Sequence, residues 1–274
     1  MIADALAGKR IAITGSTGFV GTALVERLLR GVPDCELVLL IRPSKRHDAT
    51  ERARREIFKN NAFDRLRSEL QQAGGESFDA MIERRVTAIA GDVSTDGLGL
   101  SEADRAVFGS CHTIIHSAAA VSFDSPLDLA VEINLLGPPR IADTLNSMNV
   151  TPHLVAVSTC YVAGNRRGNA PEALVSDGHW DIGLDWRKEV AATRRLRGDT
   201  EAASRTPQQL AEFRAKARQE LGAAGAPALA EKTENLRTAW VKDQLVEAGR
   251  ARAASVGWPD AYAFTKALGE QAVT

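Results

Sequence analysis

The chain has 274 residues, a formal net charge of -1 and 25% charged residues, long enough for one large α/β domain or two small ones. That balance carries no global signal for nucleic acid, no run approaches the ~18 apolar residues of a membrane span, and Met1 is not followed by a basic and then apolar leader. Cys35, Cys111 and Cys160 have neither metal-ligand nor disulfide-framework spacing, and His47, His112, His116, His153 and His179 form no metal pattern. A soluble, cytoplasmic protein without a metal is expected, with peripheral membrane contact left open.

The run 9–14 is short, apolar and β-branched and stops at Gly15, which predicts a strand buried on both faces of a parallel sheet. Leu24, Val25, Leu28 and Leu29 then recur at helical spacing until Gly31 and Pro33, and 36–41 is a second strand, completing a β-α-β unit. A charged helical stretch is predicted over 49–72, a third strand over 85–90 ending at Gly91-Asp92-Val93, and a short helix capped by Ser101 with Asp104 at its third position. A fourth strand follows at 112–116. Ser125 as cap with Pro126 at the first position predicts a helix through Asn134, interrupted at Gly137-Pro138-Pro139, and 153–157 is a fifth strand. From about Gly164 to Trp258 only Ala- and Arg-rich helical sequence remains, with breaks near 168–171, 206–207 and 222–227. The fold class expected is α/β, a Rossmann-type doubly wound parallel sheet with a helical insertion. Three segments follow: 1–164 as the cofactor domain, 165–257 as the insertion, and 258–274 as a helix returning to the first domain.

Gly15-x-x-Gly18-x-x-Gly21 lies between a predicted strand and a predicted helix, the context a dinucleotide fingerprint requires. Gly15 permits the tight turn, Gly18 lets backbone approach a pyrophosphate, and Gly21 allows close helix packing. Free amides over Thr14, Gly15, Ser16, Thr17, Gly18, Phe19, Val20 and Gly21 would hold the phosphates. Where an NAD site usually has a carboxylate, the second strand ends at Arg42, followed by Ser44, Lys45 and Arg46. A guanidinium there can hold a ribose 2′-phosphate, so NADP(H) is favoured. Tyr262 and Lys266 are four residues apart, on one helix face. A phenol of pKa ~10 is a poor acid at neutral pH, and a neighbouring ammonium stabilises its phenolate.

These features, with Gly91-Asp92-Val93, His116-Ser117-Ala118-Ala119 and Val157-Ser158-Thr159, resemble the extended short-chain dehydrogenase/reductases. More narrowly, Leu40-Ile41-Arg42-Pro43, Ala119-Ala120-Val121-Ser122-Phe123, the run 157–164 and the run 262–270 resemble the fatty acyl-CoA reductase, or male-sterility, branch. The resemblance implies Tyr262 as proton donor, Lys266 as its activator and ribose ligand, and Thr159 as the active-site Ser/Thr, with Ser158 its neighbour. It also implies that Asp92 and Val93 flank the adenine, that Ser117, Ala118 and Ala119 line the cofactor, and that Asn134 supports the site. The implied reaction is NADPH-dependent reduction of long-chain acyl-CoA or an acyl-carrier-protein thioester to fatty aldehyde, with further reduction to the alcohol left open. Alternatives are the thioester-reductase domain of a carboxylic acid reductase, a sugar-nucleotide epimerase or dehydratase, and a catalytically silent NADP-binding module. Between Arg187 and Glu220 nine Lys/Arg face five Asp/Glu, an excess of four that could attract CoA phosphates or an acidic carrier. The chain stops eight residues after Lys266, so C-terminal substrate elements of the extended family are expected to be missing.

Overall fold

The computed structural model describes residues 2–174, 183–222 and 225–273; His179 lies outside them. In chain order the regular elements are α1 (Ile2–Leu6), β1 (Arg10–Thr14), α2 (Phe19–Gly31), β2 (Glu36–Ile41), α3 (Ala49–Arg52), α4 (Asp64–Ala73), α5 (Phe78–Arg85), β3 (Val86–Ala90), α6 (Glu102–Gly109), β4 (Thr113–His116), α7 (Leu127–Ala130), α8 (Gly137–Ser147), β5 (His153–Ala156), α9 (Trp186–Ser204), α10 (Pro207–Leu221), α11 (Ala226–Ser255) and α12 (Ala261–Gln271). Two compact units divide the chain. One holds 1–119 and 136–158, the other 120–135 and 159–272. They therefore cut at residues 119, 135 and 158, whereas the sequence suggested segments ending at 164 and 257.

In the first unit all five strands pair in parallel in the order β3-β2-β1-β4-β5, the doubly wound sheet expected from the β/α alternation. Ile11, Ile13, Leu37, Leu39 and Ile41, every second residue of β1 and β2, bury one face against Val25, Leu28 and Leu29 of α2. Ala12, Val38 and Leu40 are buried as well, so these two strands are covered on both faces, as their unbroken apolar runs predict. β5 differs: it is the outer strand, three of its four residues are exposed, and its apolar character does not end in burial.

Two expected elements change. The charged stretch 49–72 is not one helix. α3 passes into a π-helical turn at 53–57, and Asn60 caps a single 3-10 turn by accepting from Ala62 N–H. The break brings Phe58 and Phe63, which would point about 140° apart on a straight helix, into one edge-to-face cluster with Phe78 of α5 at 5.6–6.4 Å. The helix expected to be capped by Ser125 begins one residue later, at Leu127. Pro126 takes the cap position, no side chain caps it, and Ser125 N–H closes a turn onto the Ser122 carbonyl. Ser101 caps α6 through Asp104 N–H as expected, and its hydroxyl also donates to the Asp104 carboxylate.

The second unit is helical throughout its described part. Thr206 caps α10 with Pro207 at its first position, and Gly222, at φ +61°, ends it. Several arginines of these helices are paired inside the unit. Arg194 pairs with Glu132, Arg197 with Asp128, Arg205 and Arg237 with Glu201, and Arg252 with Glu189. Pairing crosses the bounds of 187–220 in both directions: Asp128 and Glu132 come from outside that window, and so do Lys232, Arg237 and Arg252, which pair with its Glu220, Glu201 and Glu189.

Candidate active site

In the first unit, Gly15 has φ +74°, and a Cβ there would lie 2.5 Å from the backbone nitrogen of Ala118. Only glycine lets the loop after β1 pass the loop after β4. A Cβ on Gly21 would drive into the carbonyl of Gly15, with Ser16 Cα 2.7 Å away, so Gly21 serves the loop folded over the first turn of α2. Gly18 precedes α2 in an extended conformation with no side-chain cap, which leaves the first-turn amides for an anion. Phe19 and Val20 supply only backbone there; their side chains are exposed.

Thr14 engages its hydroxyl and its carbonyl inside the fold. It is fully buried, its hydroxyl bonds His116 Nδ1 at 2.7 Å, and that same oxygen accepts from Ala118 N–H at 3.2 Å. Its carbonyl accepts from the Ser117 hydroxyl at 2.8 Å. Thr14, His116, Ser117 and Ala118 thus clamp the two loops that carry the cradle, and His116 is part of this clamp. Ala119 continues the β4 loop, partly exposed. Ser16 is buried and its hydroxyl has no partner, an arrangement that costs free energy unless a ligand satisfies it.

Arg42 follows β2 with its side chain 65% exposed and 3.8 Å from the Asp92 carboxylate. Its carbonyl accepts from the Arg52 guanidinium, which fixes the loop from the following helix. Ser44 folds that loop on itself: its hydroxyl accepts from Arg46 and His47 N–H. The Arg46 side chain is exposed. Asp92 accepts from Ser94 N–H and hydroxyl at 2.8 and 2.7 Å, holding the turn after β3, while Val93 is buried. The glycine cradle, the orphaned Ser16 hydroxyl and the exposed guanidinium fit a phosphate-bearing dinucleotide.

The second unit holds the other expected residues. Asp260 caps α12 by accepting from Ala263 N–H at 2.8 Å, so Tyr262 lies in the first helical turn and Lys266 one turn on. The Tyr262 side chain is half-buried, and its ring meets Phe123 edge to face at 6.0 Å. Lys266 is 6% exposed, and burial pushes its ammonium below the ordinary lysine pKa, with Glu270 pulling the other way. Thr159 opens the 3-10 turn at 160–163, and its hydroxyl oxygen accepts from Tyr161 N–H at 3.3 Å.

What holds this unit together is mostly absent from any motif. Trp258, buried, donates its indole N–H to the Val162 carbonyl at 2.9 Å, and Asn165 N–H donates to Gly257 O at 2.8 Å. A Cβ on Gly164 would lie 2.5 Å from that Gly257 oxygen. These contacts tie the turn after Thr159 to the residues that lead into α12. Asn134, in a π-helical turn at 131–135, accepts from Ala120 N–H at 2.8 Å and donates to Ala120 O at 3.1 Å and to Thr265 Oγ1 at 3.3 Å. It thus grips both sides of one residue and reaches α12. Gly269 admits the Asn134 backbone against the same helix. The sequence signals for these were thin: a lone Thr inside the Tyr-Lys motif, and a Gly-Trp pair that read only as the end of the insertion.

Residues 13–274 match an NAD-binding family described as male sterility protein. The chain belongs to this family. Among curated family relatives, fatty acyl-CoA reductase 2, chloroplastic, of Arabidopsis thaliana is 30% identical, aligning with 98% of this chain and 39% of its own length. The alcohol-forming fatty acyl-CoA reductase of Simmondsia chinensis is 29% identical, over 98% of this chain and 49% of its own. A solved relative is the terminal R domain from the myxalamid PKS-NRPS biosynthetic pathway, 27% identical with a TM-score of 0.45, covering 69% of this chain and 45% of that one. The chain spans less than half the length of each of these proteins. Among the described residues no helix is long and apolar enough to cross a membrane.

Proposed function

We propose that this chain carries the cofactor-binding and proton-donating parts of an NADP(H)-dependent reductase. Its substrate would be a long-chain fatty acyl thioester, on CoA or an acyl-carrier protein, reduced to the aldehyde and in a second round to the alcohol. The reading is carried by α12, where the half-buried Tyr262 phenol sits one turn before the buried Lys266, in a chain of this family. A reduced nicotinamide, when bound, supplies a hydride to the thioester carbonyl.

Every other task falls to side chains. Tyr262 donates its proton to the carbonyl oxygen as charge builds there. Thr159 accepts at its oxygen from Tyr161 N–H, a bond that uses a lone pair and leaves its own O–H to serve as a second donor to the same oxygen. The first-turn position of Tyr262 places the phenolate left behind at the positive end of the α12 dipole, and Lys266 supports it from the next turn. Collapse of the hemithioacetal returns the oxygen's proton to that phenolate as the thiolate leaves. NADP(H) rather than NAD(H) is favoured by the Arg42 guanidinium at the end of β2, where a carboxylate would repel a 2′-phosphate.

The test is to incubate the protein with NADPH and palmitoyl-CoA and identify the products. NADPH consumption with hexadecanal or hexadecanol supports the reading. NADPH binding without turnover points to a silent module and sinks it, as does activity confined to nucleotide sugars.

A further inference from the structure

The chain contains two tyrosines, and both pack on one ring. Phe123 lies 6.0 Å from Tyr262 and 6.1 Å from Tyr161, centroid to centroid. Phe123 is 53% exposed, Tyr161 51%, and Val121 in the same loop 68%. Of these three large exposed side chains, Phe123 lies against the ring proposed to protonate the substrate, Tyr161 packs on Phe123, and Val121 stands in the same loop as Phe123. The loop that carries two of them is nonetheless held at both ends. Asn134 grips Ala120 on both its N–H and its carbonyl, Ser125 N–H closes onto Ser122 O at 3.1 Å, and Asp124 pairs with Arg250 of α11. Anchored loops with exposed rings mark binding surfaces more often than packing defects.

We propose that Phe123, with Tyr161 packed on it and Val121 exposed in the same loop, is the wall against which the first methylenes of the acyl arm lie, and so a residue that sets specificity for an apolar acyl group. The identity of that occupant rests on the reductase reading. A thioester carbonyl has two arms. The pantetheine arm carries amides that need hydrogen-bonding partners, whereas the acyl arm is methylene from its first carbon. If Tyr262 reaches the carbonyl oxygen, the first methylenes must lie within a few bond lengths of its ring, where Phe123 stands. Ring faces and a valine suit the apolar arm, and each methylene moved from water onto such a surface tightens binding by about fourfold. Phe123 also fixes the azimuth of the Tyr262 ring through the edge-to-face contact, which links chain binding to placement of the proton donor.

The two tyrosines make this testable without turnover. Protein labelled with fluorotyrosine gives two fluorine resonances, assigned with Tyr161→Phe, and is titrated with palmitoyl-CoA, CoA alone and NADPH alone. Both resonances should move saturably with palmitoyl-CoA and stay in place with CoA. Phe123→Ala should weaken palmitoyl-CoA binding roughly tenfold with NADPH affinity unchanged. Phe123→Leu, which keeps apolar volume, should lose less, and circular dichroism checks that both variants fold. Unmoved resonances at saturating palmitoyl-CoA, undiminished binding by folded Phe123→Ala, shifts caused by NADPH alone with nothing added by the acyl chain, or no palmitoyl-CoA binding would each overturn the proposal. The two readings fail separately: chain-dependent shifts without NADPH consumption leave the wall standing and defeat the reductase, and turnover with unmoved resonances does the reverse.

Discussion

The loop before α2 and the helix α12 reach functional geometry by different means. Around Gly15 and Gly21 the determinant is what is absent: side chains are deleted so that backbone can pass backbone, and the helix start is left without a side-chain cap. Around Tyr262 and Lys266 it is what long-range contacts supply: a ring on Phe123, an Asn134 grip on Ala120, an indole bond from Trp258 to Val162. A cradle made of backbone tolerates almost any side chain facing solvent and almost none at its glycines. A site made of distant side chains spreads its dependence over many positions, each worth less.

Gly15→Ala should therefore have the largest effect on the cradle. The left-handed backbone costs roughly 1–3 kcal/mol with a Cβ, and the Ala118 backbone must also retreat. A drop in NADPH affinity of roughly tenfold to a hundredfold, read by fluorescence titration, is expected; a loss smaller than threefold would show that the loop yields and break the contrast. Arg42→Ala should cut the preference for NADPH over NADH by roughly tenfold, read from paired Kd values, without lowering NADH affinity. Equal losses for both cofactors would mean that Arg42 supports the loop and reads no phosphate. Asn134→Ala should lower stability by about 1–3 kcal/mol in urea unfolding while NADPH affinity is kept, because its three bonds all lie in the second unit.

Lys266→Met gives the smallest and most diagnostic change. Burial lowers the lysine pKa in the folded state, so between that lowered value and the ordinary ~10.4 the unfolded chain holds the proton and the folded chain does not. Unfolding then takes up a proton, and stability rises with pH through that window. The variant lacks this rise. Its stability relative to the parent should be highest near neutral pH and should fall as pH approaches the ordinary lysine value. A flat difference would mean that Lys266 keeps its charge in a solvated or fully paired setting.

The same contrast explains what could be read in advance. The five strands, the β-α-β unit and the glycine spacing follow from local patterns of apolar runs, period 3.6 and deleted Cβ atoms, and they were legible. So was α6, whose cap is set by Ser101 and Asp104 alone. The break in 49–72 was not, because it accompanies the packing of Phe58 and Phe63 with Phe78, which lies outside that stretch. The sequence placed Thr14 at the opening of the motif but gave no sign that its hydroxyl meets His116, a hundred and two residues on. The pairing of the insertion's charges was not legible either, since Asp128 and Glu132, which take Arg197 and Arg194, lie outside the window that was counted. The Tyr-Lys spacing was visible, but not the Phe123 ring beside it.

The most direct test of the account separates holding the cofactor from moving the proton. Tyr262→Phe removes one hydroxyl from the second unit and touches nothing in the glycine cradle. NADPH affinity and the rate of NADPH oxidation in a single turnover with palmitoyl-CoA are measured on parent and variant. The account predicts equal NADPH Kd values and a rate lower by roughly a hundredfold to ten-thousandfold in the variant. An oxidation rate in Tyr262→Phe equal to the parent's would contradict it.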